Sequence, residues 1–202
     1  WKTRIFAPSS LIYYLGIDEH IPNLTHHSLF FENELDDHTS CIYEDVKWPD
    51  KPLFYACCPS KTDPHVAPAG KENLFLLIPI APDLEDSEEQ REAYFEILRK
   101  RLIEKIGFDI NPHIVYKRSY CITDFITDYN AFKGNAYGLA NTLLQTAVLK
   151  PSCRSKKVTN LYYTGQLTVP GPGVPPSLIS GEVVANLVNK QFSRSVQTKV
   201  IL

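Results

Sequence analysis

The residues best suited to chemistry lie at 161–181, LYYTGQLTVPGPGVPPSLISG. A strand-like run ends at Gly165, a bend carries Gly171 and Gly173, and a helix is expected to begin at Pro175 or Pro176. Glycine lets a backbone come close to a ligand, because no Cβ stands in the way. Proline at the first helical position has its φ already set and lacks only an N–H that would be orphaned there. The helix start beyond it offers free N–H groups and a partial positive charge. Together these form a receptor for an anionic or electron-rich group, such as a phosphate or a carbonyl that gains electrons. Small residues at Ser180, Gly181 and Ala185 would let the helix approach a neighbour closely. The same stretch also suits a turn that only joins a strand to a helix.

The elements that must position this bend are read from periodicity and punctuation. Residues 9–17 (SSLIYYLGI) and 28–31 read as strands. Residues 53–58 and 74–80 are apolar without alternation, which predicts strands covered on both faces. The acidic run 33–39 and the Pro/Gly-rich run 59–73 read as loops. Residues 87–106 are the strongest helix. Ser87 and Gln90 form a capping box, glutamates crowd the start and basic residues the end, and Phe95, Leu98, Leu102 and Ile106 make one apolar stripe. Gly107 is its expected stop. Residues 113–121 alternate and read as a half-exposed strand, and Thr123 is the expected cap of a short helix to Tyr129. Helices are also expected over 139–149 and 177–189, with a short strand at 160–163.

Composition sets the outer bounds. A chain of 202 residues with 44% hydrophobic and 22% charged side chains has enough apolar mass for a core. Lys and Arg number 21 against 23 Asp and Glu, so the basic surplus of a dedicated nucleic-acid binder is missing, and nucleic acid is not an expected partner. Five cysteines, odd in number and without a CxxC, read as reduced thiols of a cytoplasmic protein. The longest apolar run, 74–82, is far short of the ~20 residues a spanning helix needs. No signal-peptide pattern stands at the start. A chain that begins at Trp1 and holds no Met is expected to be part of a longer polypeptide. Mixed strands and helices give an α/β or α+β fold that closes on a strand–helix unit.

Three segments carry a resemblance. YYTGQLTVPGPGVPPSLISGEVVANLV at 162–188 is similar to the C-terminal flavin motif of the FAD-dependent amine-oxidase-like superfamily. FKGNAYGLANTLLQTAVLKPS at 132–152 and DPHVAPAGKENLFLLIPIAP at 63–82 resemble the approach to that motif and an upstream strand. The nearest group is the bacterial-type phytoene desaturases (phytoene dehydrogenases) of carotenoid synthesis, and the likeness covers most of residues 7–188. It implies the C-terminal portion of a Rossmann-like FAD/NAD(P)-binding flavoprotein with a mixed-sheet substrate domain. Residues 1–135 would belong to the substrate side, 136–190 would close the FAD site, and 191–202 would form a loose tail.

By that resemblance Gly165 would lie beside the ribityl and pyrophosphate portion of FAD. Gln166 stands where relatives often carry an acidic or small residue, and its amide could hydrogen-bond a ribityl hydroxyl. Gly171 to Val174, Gly173 included, would run along the flavin ring. The helix start at Pro175, Pro176, Ser177 and Leu178 would face the ring's pyrimidine edge, where the helix dipole favours negative charge. Asn135, Tyr137 and Gln145 would border a tunnel for a long isoprenoid. The implied activity is desaturation of phytoene by an enzyme attached peripherally to the membrane that holds its substrate. Carotenoid isomerase, retinol saturase and a flavin-less isoprenoid binder are the alternatives. The family's GxGxxG fingerprint is not in these residues, so this chain alone is expected to be inactive and to hold FAD weakly. No catalytic residue is singled out.

Other clusters read as structural. His20, His26 and His27 lack the i, i+4 spacing of helical ligands, so no metal is expected. Asp36, Asp37, Glu85 and Asp86 read as solvated loop charges. Ser9, Ser10 and Ser180 have no His and Asp partners and no GxSxG, so a nucleophilic hydrolase is not expected.

Overall fold

The computed structural model describes the backbone of residues 1–199 and side chains up to residue 193. The chain divides into two compact units, one of Pro8–Ala136 and one of Trp1–Ala7 with the chain from Tyr137 onward. Residues 1–7 therefore group with the C-terminal part and not with the segment that follows them.

The Pro8–Ala136 unit contains β1 (Ser9–Ile17), β2 (His27–Phe30), α1 (Leu35–Tyr43), β3 (Phe54–Cys57), β4 (Glu72–Ile80), α2 (Glu88–Ile106), β5 (Ile114–Tyr120) and α3 (Ile122–Tyr129). The strands form one sheet in the order β2-β3-β4-β1-β5. Each pairing is antiparallel, with Leu11 opposite Ile78, Tyr13 opposite Leu76 and Leu15 opposite Leu74 in the centre. The expected mixed sheet is thus antiparallel throughout. Burial alternates along β3 and β4, so these strands are not covered equally on both faces. Leu74, Leu76, Ile78 and Ile80 point into the core while Phe75, Leu77 and Pro79 stay half-exposed, the one-sided pattern antiparallel sheets allow.

Helix α2 supplies the other side of that core. Ser87 Oγ accepts the Gln90 N–H at 3.2 Å, and Gly107 ends the helix at φ 70°. Phe95, Leu98, Leu102 and Ile106 are buried as the stripe predicts, and the Phe95 ring lies 5.3 Å from that of Tyr13 on β1. Each such fully buried apolar side chain contributes about 1.5–3 kcal/mol.

Three expectations fail within this unit. Residues 33–39 do not form a loop: α1 begins at Leu35 without a side-chain cap, and it buries His38, Cys41 and Ile42 at helical spacing. Helix α3 is capped from Cys121, not Thr123, with Asp124 Oδ2 accepting the Cys121 N–H at 2.9 Å. Asp86 is no solvated charge. Its carboxylate is 1% exposed and takes both Nε and Nη2 of Arg91, at 2.7 and 2.6 Å.

All five cysteines are free thiols. Burial pushes the Cys58 thiol up to about 11 and the Cys121 thiol up to about 12. The thiolate is the reactive form, so neither should be alkylated by iodoacetamide at pH 8 in the native protein. Peptide mass spectrometry checks this, and labelling of either before unfolding would contradict the burial.

The second unit is built differently. Ala7 N–H donates to Gly138 O at 2.9 Å and Ala140 N–H to Ile5 O at 3.0 Å, around an antiparallel bridge between Phe6 and Leu139. That pairing replaces the helix expected over 139–149, of which one 3₁₀ turn, Ala147–Leu149, is present. Leu143 and Val148, part of the apolar spacing that suggests a helix, are 90% and 91% exposed. In place of a strand at 160–163 there is a short hairpin, with Ser155 N–H bonded to Leu161 O and Tyr163 N–H to Cys153 O, both at 2.9 Å. The last helix, α4 (Val174–Lys199), starts one residue before Pro175, the earlier of the two expected starts, and three before the expected span 177–189. It continues past residue 190, where the sequence predicts a loose tail. Residues 200–202 of that tail lie outside the described residues.

Candidate functional site

The glycine–proline bend is held by the side chain of a small residue. Ser180 Oγ accepts the Gly165 N–H at 2.7 Å and donates to Ser177 O at 2.6 Å, which ties the end of the hairpin to the first turn of α4. Ser180 is fully buried. Thr168 closes the turn between, its N–H and hydroxyl both donating to Gly165 O at 3.1 and 2.9 Å. Gly165 has φ +103°, and a Cβ there would meet nothing within 4 Å, so its backbone lies open to an approaching group.

Beyond the turn, Gly171 lies at φ +136° directly over a lysine. A Cβ at this position would come within 2.9 Å of Lys150 Cε. Gly173, at φ +109°, gives its carbonyl to the Ser177 N–H at 3.0 Å, the first helical bond of α4. Val174 and Pro175 are exposed, and Gln166, Pro176 and Ser177 are half-exposed. Pro175 and Pro176 carry no N–H and that of Ser177 is already used. The helix start therefore has its dipole but fewer free donors than the sequence suggests. Gly181 packs against nothing within 4 Å, so its small size serves no close contact among the described residues.

The structure thus ties Gly165 to Ser177 through Ser180, and Ser177 in turn is bonded to Gly173. Of the residues expected along a tunnel, Asn135 belongs to the Pro8–Ala136 unit and Tyr137 and Gln145 to the other. Asn135 is buried in the Pro8–Ala136 unit and donates to Phe132 O at 2.6 Å. Gln145 is buried in the other unit, where its amide binds Ile5 N–H and Ile5 O at 3.1 and 2.8 Å and Ala140 O at 3.2 Å, a strap between chain segments. Tyr137 is exposed.

Sequence reasoning passed over Lys150 and gave Ser180 only a packing role. Their signal is the residue type at a buried position, which spacing alone does not reveal. A cleft of about 570 Å³ opens beside α1 and is lined by residues that include Glu32, Asp37, His38, Asp45, Lys47 and Asp50. That lining suits water and ions, not an apolar chain. His26 and His27 approach Cys57 rather than His20, with one ligand atom from each within 4.8 Å. His26 Nδ1 is bonded to Thr62 and His27 Nδ1 to Tyr55.

The cofactor implied by the sequence fits what this bend offers: open backbone at Gly165, a passage over Gly171 that only glycine permits, and the positive end of a long helix. No protein-family model matches the chain. Among curated proteins, a carotenoid 3,4-desaturase of Haloarcula japonica is 45% identical over 92% of this chain. Over these residues the chain is similar to carotenoid desaturases. A zeta-carotene-forming phytoene desaturase of Myxococcus xanthus is 30% identical over 89% of the chain, and a 4,4'-diapolycopene oxygenase of Methylomonas is 30% identical over 93%. The chain spans 35–39% of the length of these three relatives. A solved oxidoreductase structure from Methanosarcina mazei superposes with a TM-score of 0.53 over 90% of this chain and 35% of its own, at 15% identity. That likeness is one of fold, and it agrees with the mixed helix-and-sheet architecture.

Proposed function

We propose that this chain is the C-terminal part of an FAD-dependent desaturase of long isoprenoids in carotenoid synthesis, of the phytoene desaturase type. The observation that carries the reading is sustained similarity to a carotenoid 3,4-desaturase over nine-tenths of the chain. When bound, the flavin supplies the electron acceptor for removal of two hydrogens across a C–C single bond. The chain's own residues hold it. The Gly165 backbone, the Gln166 amide and the start of α4 from Gly173 to Ser177 face the cofactor, and Ser180 keeps that surface fixed before the cofactor arrives. Val174 and Leu178 present exposed apolar side chains at the same helix start, suited to a hydrocarbon neighbour. Alone, without the remainder of the polypeptide, the chain holds FAD weakly and is inactive.

Among the described residues no helix is long and apolar enough to cross a membrane. A polyene is insoluble in water, so the enzyme draws it from a bilayer as a cytoplasmic, peripherally attached protein. The similarity to a diapolycopene oxygenase supports a second reading, oxygenation of a carotenoid end group.

The test is the full-length protein, purified and incubated with carotenoid precursors in liposomes. Bound yellow flavin and a product two mass units lighter are expected. A product heavier by oxygen would select the second reading, and a folded full-length protein without flavin would defeat both.

A further inference from the structure

Lys150 is the one residue among those described whose buried side chain carries an unsatisfied polar atom. It is 6% exposed, and its Nζ has no hydrogen-bond partner. An ammonium has three donors, and leaving a buried charge unpaired is costly enough that such groups are normally paired or neutralised. The side chain is not loosely placed. Its backbone N–H donates to Ala147 O at 3.2 Å, and the next residue, Pro151, accepts the Val169 N–H at 3.1 Å. Its end runs beneath the bend, with Nζ 3.5 Å from where a Cβ of Gly171 would stand, three residues before α4 begins.

We infer that the Lys150 ammonium, held under the Gly171 backbone ahead of α4, is a fixed positive charge that binds the negatively charged part of the flavin; this rests on the flavin reading above. Two features of the site call for such a group. The prolines remove donors from the helix start, so the dipole sets the preferred sign of charge but has few N–H groups to deliver it. Lysine supplies those donors from a buried position, where each is worth more than in water. Burial alone depresses the Lys150 pKa. An arriving negative charge offsets that penalty, so the pairing is favourable for both partners. Lys150 is a positioning and charge-balancing residue here, with no part in moving hydrogen.

The experiment uses the full-length holoprotein with Lys150→Met, which keeps the bulk, and Lys150→Arg, which keeps the charge. The reading is the flavin midpoint potential, taken by reductive titration against indicator dyes. K150M is expected to lose at least tenfold of its preference for the reduced over the oxidised cofactor, about 30 mV for a two-electron couple. K150R should stay close to the unaltered protein. An unchanged potential in a flavin-loaded K150M would overturn the inference, because the ammonium would then be neutralised by a protein group. A second measurement stands if K150M does not fold. Unaltered apoprotein is loaded with 8-mercapto-FAD, whose visible band moves to longer wavelength when a cation draws its negative charge toward the pyrimidine ring. That shift is expected, and its absence would overturn the inference. If the unaltered protein folds and takes up neither flavin, the flavin reading itself has failed and the inference falls with it.

Discussion

Replacing Arg91 by leucine is expected to destabilise the sheet unit by about 3–5 kcal/mol, because it strands a buried carboxylate. Asp86 grips the guanidinium through both oxygens, while Nη1 reaches Asp124 at 2.9 Å and Ser119 at 3.2 Å. One side chain therefore joins the approach to α2, strand β5 and the first turn of α3. Removing both ends of the pair is a different matter. The double variant R91L/D86N leaves no buried charge and should recover much of the loss. Urea unfolding of the four proteins forms the cycle, and a double variant as weak as R91L would refute the account.

The same pair gives the unit a dependence on acidity. Burial by itself would raise the Asp86 carboxyl, but hydrogen bonds from Arg91 and from the Thr123 N–H hold it below its ordinary range. A depressed folded pKa contributes stability above the unfolded value, near 3.9, and loses it as pH falls through the folded value. In R91L the uncompensated burial raises the same carboxyl, so the gap between the unaltered protein and R91L should be widest toward pH 8 and narrow as pH falls, as the variant's carboxylate is protonated first and the unaltered protein then loses its pair at lower pH.

Gly134→Ala carries the second large effect. Gly134 sits at φ +60°, and a Cβ would stand 2.6 Å from Ile122 Cγ2 and 2.7 Å from the Ile122 carbonyl oxygen. The oxygen is backbone and cannot swing aside, and Gly134 O also accepts the Ser9 hydroxyl at 2.5 Å. Overpacking of about 1–3 kcal/mol and a left-handed penalty of about 1–2 kcal/mol add. The expected loss is roughly 3–4 kcal/mol, or about 10 °C in Tm for a unit of this size. Gly70→Ala is the control: it shares a positive φ, but a Cβ there meets nothing within 4 Å. Equal shifts for the two variants would show that crowding by Ile122 is not the cause.

Where the sequence could be read, local signals agreed with each other. For α2, cap, charge gradient, apolar stripe and terminal glycine all pointed to one span, and the structure has Ser87 and Gly107 at its ends. For α1 they disagreed. Glu34 makes no side-chain cap, although the acidic first turn suits a helix start and His38, Cys41 and Ile42 already stood at the spacing of a buried helix face. Residues 139–149 misled in the opposite direction. Their apolar spacing suits a helix, but the strand contact of Leu139 with Phe6 and the Gln145 strap to Ile5 come from residues more than a hundred positions away. At the bend, the glycines and prolines announced a turn leading into a helix. The clamp by Ser180 and the unsatisfied Lys150 stayed hidden, because burial is a property of the folded chain and not of any short word in it.

The crossing of Ala7 and Gly138 has an evolutionary consequence. The residues between them leave and re-enter their frame beside two hydrogen bonds, Ala7 N–H to Gly138 O at 2.9 Å and Ala140 N–H to Ile5 O at 3.0 Å. A cassette spliced at such a seam can be resized or exchanged between relatives while the residues on either side keep their register. Changes within the Pro8–Ala136 unit can then accumulate without rebuilding the unit that carries the glycine–proline bend.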